Sequence, residues 1–410
     1  MSSVLVCVQP ARGHVGPTKP LVAALVAAGH DVAVITGARY RDAFTELGAD
    51  VTVLPGEVDF DETDLNGSIP GREGLRGPKL GRFELSRFAG AMSQQLRTVD
   101  KVLACGVDVV LCDPLFAAGM ALVNREDRPR VLALGFLPLT APTPYRPPSR
   151  RPLDRVRGAV MRRFMGWMMA PAQQIAERGV HELVGVETGL CFMDWPMCSD
   201  GVLQMTCPGF EFPRTLPAPV HFIGPTTTSS ASEHDLPEWW HELDGSRPVV
   251  HVTQGTVAND DLGMLVEPTI EALADEDVLV VATTCGTMPR TDPLPPNVRV
   301  ADFLPYDELL PRCDVMVSNG GYGGVNHALR YGVPLVVVGA SQDKPEVAAR
   351  VSWSGAGLGY ARPSLPVRTL RRAVREVLRR DRYRKVAGEL SAQIADAPST
   401  DDIVKLIVDR

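Results

Sequence analysis

A chain of 410 residues exceeds one ordinary core, and at roughly 150 residues per domain it points to two or three domains. Its composition, 45% hydrophobic and 22% charged, is that of a soluble globular protein and excludes global disorder. A formal charge of -7 excludes a generic nucleic-acid binder, whose footprint is basic.

The first segment alternates short apolar runs with helical patterns: VLVCVQ (4–9), PLVAALVAAGH (20–30), DVAVIT (31–36), RYRDAFTELG (39–48) and VTVL (51–54). Strand, helix, strand, helix, strand is the pattern of a parallel sheet covered by helices. The start, MSSVLVCVQP, opens directly as a strand without a basic leader, and no apolar run reaches 18 residues, so neither a secretion signal nor a membrane span is expected. The eight cysteines form no CxxC and no Cys/His zinc spacing, so a reduced, cytoplasmic protein without a metal site is the expectation.

Residues 56–82, rich in Gly, Asp and Arg, read as a long loop or flap. VDVVLCDP (107–114) and RVLALGF (130–136) continue the sheet, and 155–184 read as a helix with an apolar stripe through Met161, Met165, Trp167 and Met168, the pattern of a core-facing helix. An arginine-rich stretch at 146–164 reads as a solvated segment. Residues 210–237 are rich in Pro, Thr and Ser, the makeup of a linker. A second series follows, with strands at 248–254, 278–284, 298–304, 314–319 and 335–340 separated by helical patterns. A second arginine cluster, 368–385, places Leu370, Val374, Val377 and Leu378 on one helical face and its arginines on the other. The whole reads as α/β: two doubly wound domains in tandem, with ligand expected in the crevice outside the strand carboxyl ends.

The stretch SNGGYGGVNHALRYGVPLVVVGA (318–340) carries four glycines within five positions between a buried strand and a helix. Such a turn feeds a helix N-terminus, whose free N–H groups and partial positive charge suit a phosphate. Neither GxGxxG nor GxxxxGK[ST] appears in its required setting, which argues against nicotinamide and ATP. His14, just past the first strand in a Gly-flanked turn, has the intrinsic pKa of about 6.5 that suits proton abstraction at neutral pH. Asp113, at the end of another parallel strand, could orient that imidazole. His30 and His251 read as structural residues, and His181, His221, His234 and His241 lack partners at ligand spacing.

NGGYGGVNHALRYGVPLVVVGASQDKPEVAARV (319–351) resembles the C-terminal signature of family 1 glycosyltransferases of the GT-B fold, HGGxGTxxEALxxGVPxxxxPxxxDQxxNAxRV, and GHVGP (13–17) matches the family's GHxxP. VVLCDPLFAAGMA, VHVTQGTVAN and ADFLPYDELLPRCD extend the resemblance over nearly the whole chain. It implies a GT-B architecture of two Rossmann-like domains facing a cleft: an acceptor domain at 1–212, a linker at 213–240, a donor domain at 241–385, and C-terminal helices at 386–410 crossing back. It also implies a metal-independent, inverting transfer of a sugar from a UDP- or dTDP-sugar to a hydroxyl of a small, largely apolar natural-product acceptor. His14 would be the general base and Asp113 its partner. The donor would lie against Gly255, Thr256, Phe303, Leu304, Asn319, Gly321, Gly323, Gly324, His327, Asp343 and Lys344. No separate cofactor is implied, since the nucleotide sugar is a co-substrate, and homodimerisation is left open.

The acceptor would meet Phe83, Phe88, Phe136 and Met165, on the loops and helices where specificity resides. Several positions depart from the family pattern. Asn319 stands for His, His327 for the Glu that binds ribose, Phe303 for the base-stacking Trp, Tyr306 for the Gln three positions later, and Lys344 for the Gln of the sugar-reading Asp-Gln pair. Two other readings share the architecture: a nucleotide-sugar 2-epimerase, which needs acidic catalytic residues, and a non-catalytic auxiliary partner, which needs no His14, Asp113 or Asp343.

Overall fold

The computed structural model describes residues 1–139, 152–226, 236–255, 261–291 and 293–409. Within them lie two wholly parallel sheets. The first comprises β1 (Ser3–Cys7), β2 (Asp31–Thr36), β3 (Asp50–Val53), β4 (Val109–Cys112), β5 (Arg130–Gly135), β6 (Gly201–Gln204) and β7 (Val220–Phe222), in the order β3-β2-β1-β4-β5-β6-β7. The second comprises β8 (Val249–Thr253), β9 (Leu279–Thr283), β10 (Val298–Ala301), β11 (Val315–Ser318), β12 (Leu335–Val338) and β13 (Gly357–Tyr360), in the order β10-β9-β8-β11-β12-β13.

Strands such as VVLC and VVHVT are apolar without alternation because helices cover both faces of a parallel sheet. Successive side chains point to opposite faces, so Leu5, Cys7, Val110 and Cys112 enter one core while Val4, Val6, Val109 and Leu111 enter the other. In each sheet the order reverses once, between β1 and β4 and between β8 and β11. The helices that follow those strands diverge there and leave a crevice at the strand carboxyl ends.

Three strands escape the sequence reading because they are short. β6 and β7 carry four and three residues, and β13 is GLGY. β7 lies inside 213–240 and pairs in register with β6, Val202 opposite Val220, so the first sheet continues through Phe222 into the stretch read as linker. The glycines of β13 are required by packing: a Cβ on Gly357 would stand 1.9 Å from the Leu335 carbonyl oxygen, and one on Gly359 1.8 Å from that of Ala348.

The flap also differs from a bare loop. It contains the short helix Leu65–Ser68 and leads into the helix Gly77–Gly90. Its carboxylates cap neighbouring backbone: Asp59 accepts from Ala38 N at 2.9 Å, and Glu62 accepts from Arg12 N at 2.8 and 2.9 Å. The helix Pro152–Val184 buries Ala172, Ala176 and Val180, but Met165 and Trp167 of the expected core stripe are 43% and 51% exposed. Arg82 stacks over the Trp167 ring at 4.2 Å. Residues 146–151 of the first arginine cluster lie outside the described residues.

In the second arginine cluster, Leu370, Val374 and Val377 of the helix Val367–Arg379 are buried, while Arg371 and Arg375 pair with Glu276. The helix Asp381–Ala395 then packs Leu390 and Ile394 into the core of the second sheet. The last helix, Thr400–Val408, places Ile403, Val404 and Ile407 in the core of the first. Arg130 of β5 donates to the carbonyls of Leu406, Ile407 and Asp409, satisfying groups that a helix C-terminus leaves open.

The two sheets are joined by a buried polar cluster. Glu211, beyond β6, accepts from Arg350 Nε at 2.8 Å and from the Tyr322 hydroxyl at 3.1 Å. Gln204 donates to the same hydroxyl at 2.7 Å, and Arg350 donates to the Leu139 carbonyl at 3.1 Å. The side chains of Arg350 and Glu211 are 1% and 3% exposed. A buried pair contributes little net stability, but removing one partner leaves an uncompensated charge, at a cost of about 3–5 kcal/mol. Glu211→Ala should therefore lower the melting temperature markedly, and Glu211→Gln with Arg350→Met should recover much of the loss. Calorimetric scans of the wild type and the two variants check this, and a silent Glu211→Ala would contradict it.

Candidate active site

Both reversal points carry the chemistry-bearing residues. β1 runs into the helix Arg12–Ala27, which starts earlier than the sequence pattern indicates and includes Pro17 and Pro20. His14 therefore sits on the first helical turn and not in a free turn; its N–H bonds the Ala11 carbonyl at 2.9 Å, and Thr18 donates to its carbonyl at 2.8 Å. β4, the neighbour of β1 across the reversal, ends at Asp113.

Asp113 is fully buried, and its carboxylate accepts from Gln9 N at 2.9 Å, from Leu115 N at 2.8 Å and from His14 Nδ1 at 2.7 Å. An ionised carboxylate accepts only, so the hydrogen of the neutral imidazole lies on Nδ1 and Nε2 keeps its lone pair. The His14 side chain is 15% exposed and lies against Phe136, ring centroids 4.6 Å apart. Burial by itself pushes the His14 pKa down; the Asp113 charge and hydrogen bond, with Asp343 and Glu62 further off, outweigh it and leave the pKa above 6.5. Asp343 belongs to the other domain, so carboxylates on both sides of the cleft act on this imidazole.

Across the cleft, Gly255, whose φ of +76° suits glycine, lies two residues beyond β8, and Asn319 directly follows β11. The Asn319 amide donates to the Gln254 carbonyl and its oxygen accepts from Gly321 N at 3.3 Å. It bridges the ends of β8 and β11, a different task from the direct phosphate contact expected of it. Gly320 has φ +91°, and a Cβ there would lie 2.9 Å from Val337. Gly321 precedes the helix Tyr322–Arg330, whose first turn has no side-chain cap. At Gly323 a Cβ would meet nothing within 4 Å, so the surface over that turn is open. At Gly324 it would approach Met316 and Tyr306.

Asp343 and Lys344 open the helix Lys344–Ser354 beside this turn. Burial pushes the Asp343 carboxyl up, opposed by Lys344, its own backbone, His14 and Arg350. Burial pushes the Lys344 ammonium down, opposed by Asp343, and its Nζ donates to Gln342 at 2.9 Å. His327 stands edge-on to Tyr306, centroids 5.9 Å apart, with Nδ1 unpartnered among the described residues. Burial brings its pKa to about 4, with Asp307 opposing and Arg330 reinforcing, so it is a neutral ring at pH 7.

Leu304 is corrected: its side chain, 2% exposed, belongs to the core of the second sheet and cannot itself face a ligand. Thr256 lies outside the described residues. Phe303 is half-buried and carries the Arg12 guanidinium over its ring at 5.2 Å, a contact between the domains. Of the acceptor candidates, Phe136 touches His14, whereas Phe88 packs into the first core and against Phe60 at 6.4 Å. Phe83 is half-buried near Gly71, and Met165 is exposed on the helix Pro152–Val184. Sequence reasoning missed Tyr322 and Asn326, which fall one turn apart on one face of the glycine-motif helix and bond Gln204, Glu211 and Thr206 of the first domain. A polar i, i+4 pair inside an otherwise buried helix was the available signal.

The comparisons agree with this geometry. Residues 267–409 match the family described as erythromycin biosynthesis protein CIII-like, C-terminal domain. The chain is 38% identical over 416 residues to 4'-demethylrebeccamycin synthase of Lentzea aerocolonigenes, covering 98% of each chain. It is 29% identical over 413 residues to UDP-glucosyltransferase A1 of Starmerella bombicola, covering 95% of this chain and 88% of the other. The crystal structure of the kitacinnamycin glycotransferase superposes with a TM-score of 0.75 at 20% identity, over 99% of this chain and 98% of that one, a likeness of fold. The chain belongs to the glycosyltransferases of the GT-B fold, and it is an enzyme of that class. Among the described residues no helix is long and apolar enough to cross a membrane.

Replacing Asp113 by Asn removes the charge that outweighs burial at His14, so the pKa of the imidazole should fall. Titration of the His14 ring by NMR should place the wild type above 6.5 and Asp113→Asn distinctly lower. Equal midpoints would show that Asp113 does not govern this group.

Proposed function

We propose that the chain is an inverting, metal-independent O-glycosyltransferase that moves a hexose from a UDP- or dTDP-sugar to a hydroxyl of a small, largely apolar natural-product acceptor. The observation that carries this is the 2.7 Å contact of His14 Nδ1 with buried Asp113, at a reversal point facing the glycine turn. With Nδ1 engaged, Nε2 is the atom that accepts the acceptor's proton. The acceptor oxygen forms a bond to the anomeric carbon as the bond from that carbon to the diphosphate oxygen breaks, its electron pair leaving with the diphosphate. Attack from the face opposite the leaving group inverts the centre. The imidazolium formed is stabilised by the Asp113 carboxylate.

The departing diphosphate would be received by N–H groups at the start of the helix Tyr322–Arg330, over the open surface at Gly323. Fixed dipoles of this kind stabilise growing charge without reorganisation, and no metal is needed for the step. Asp343, held partly buried beside Lys344, suits contact with sugar hydroxyls, and Phe303 offers a ring for the base. Phe136, against the imidazole, gives the acceptor an apolar wall next to the base.

A neutral His327 can share a hydrogen bond with a ribose hydroxyl but offers no anion to grip two of them. That supports dTDP-sugars, whose deoxyribose lacks one of the two, alongside UDP-sugars. His14→Ala should reduce turnover by roughly 10²- to 10⁴-fold while nucleotide-sugar binding is kept, the range general-base help covers. Single-turnover assays over a panel of UDP- and dTDP-sugars, with donor affinity measured in parallel, check this. Retention of wild-type turnover by His14→Ala would overturn the assignment of the base.

A further inference from the structure

Arg12 occupies a position that the transfer reaction as described leaves unused. It opens the helix that carries His14, two residues before the base, yet its guanidinium lies across the cleft over Phe303, 5.2 Å from the ring centre. Its charge also reaches Cys285, just beyond β9: burial pushes that thiol up, and Arg12 pulls the other way. The Cys285 thiol in turn donates to the Gly255 carbonyl at 3.6 Å, and an added Cβ on Gly255 would lie 3.7 Å from Asn319 Oδ1. The cation therefore lies beyond the carboxyl ends of β9 and β10, on the donor-domain side of the cleft, with Gly255 beyond β8 between it and the glycine turn that follows β11.

The other cations near that turn are engaged. Arg350 is buried against Glu211 and Glu346, and Lys344 is half-buried with Nζ on Gln342. Arg12 is exposed, and among the described residues no carboxylate stands within ion-pair distance of its guanidinium. Glu62, the nearest acid in sequence contact, accepts from the Arg12 backbone N–H and from the Tyr40 hydroxyl instead. An exposed stack of a guanidinium on Phe is a weak contact, whereas a guanidinium on a phosphate makes two parallel charge-assisted hydrogen bonds. Exchange of the first for the second is downhill, and it uncovers a face of the Phe303 ring.

We propose that Arg12 binds the diphosphate of the nucleotide sugar, as a cation that the acceptor domain delivers into the donor site, and that it leaves the Phe303 ring to do so. The inference rests on the donor-site reading above. Because Arg12 and His14 share one helical turn, the diphosphate contact ties the position of the base to the presence of donor. It also sets a positive charge beside the leaving group while the bond to the anomeric carbon breaks.

Calorimetric titration of UDP, dTDP, uridine and thymidine into the wild type, Arg12→Gln and Arg12→Lys tests this, with kcat and KM for the nucleotide sugar measured on the same preparations. Arg12→Gln should weaken diphosphate binding at least tenfold, leave nucleoside binding unchanged or tighter, and lower kcat; Arg12→Lys should recover part of the diphosphate affinity. A diphosphate affinity within twofold of the wild type in Arg12→Gln would overturn the proposal, as would an equal loss for nucleoside and diphosphate. If the wild type binds neither diphosphate, the donor-site reading fails and the inference with it. Melting temperatures of the variants should match the wild type, since the side chain is exposed, which separates a binding defect from misfolding.

Discussion

The contact on which the rest depends is the buried pair of Arg350 and Glu211, with the Tyr322 hydroxyl on the same carboxylate. A charge placed out of water has to be matched, and Glu211 of the first domain shares that task with Glu346 on the helix of Arg350 itself. Arg350 lies on the helix that begins at Lys344, and Tyr322 opens the helix of the glycine motif, so both helices are referenced to Glu211 and Gln204 of the first domain. The last helix adds a second tie, burying Ile403, Val404 and Ile407 in the first core. The two faces of the cleft thereby share one frame, the condition for holding reacting groups in a fixed geometry.

Within that frame the chemistry concentrates where the topology opens. Each sheet reverses order once, and the residues beyond the strands at those points are His14 and Asp113 on one side, Gly255 and Asn319 on the other. In the first pair Asp113 fixes the tautomer of the imidazole and helps outweigh the effect of its burial. Beyond the second, the helix Tyr322–Arg330 starts without a side-chain cap, with space over Gly323 and a positive φ at Gly320. Glu62 and Arg12 join the flap, the helix of His14 and the Phe303 ring, so that the three are neighbours through two contacts.

Much of this was legible in the chain. Apolar runs such as DVAVIT and VVHVT mark buried parallel strands, and the glycine motif with its flanking strand and GVP marks the strand–turn–helix around Tyr322–Arg330. His14 and Asp113 were readable because each follows a strong strand. What was not legible has specific causes. β7 is three residues long and lies in proline-rich sequence, and β13 is half glycine because β12 at Gly357 and a helix at Gly359 crowd its backbone, so neither shows a strand's pattern. The helix of His14 contains two prolines, which hid its first two turns. Leu304 and Asn319 matched their motif by position, while packing turned one into the core and a backbone carbonyl claimed the amide of the other.

By itself the sequence determined the class of the fold, the order of its longer strands and helices, and the two turns where ligands are expected. Those follow from local rules: hydrophobic period, glycine conformations and the backbone groups that helix ends leave open. Only the tertiary structure decided which residues in and near those turns are free for chemistry. Asn319, Tyr322 and Asn326 are engaged by their neighbours, His327 is neutralised by burial, and Arg12 reaches across to a ring nearly 300 positions away in the chain. Contacts between distant segments set these outcomes, because hydrogen-bond partners and desolvation depend on what packs alongside, and spacing along the chain does not encode it.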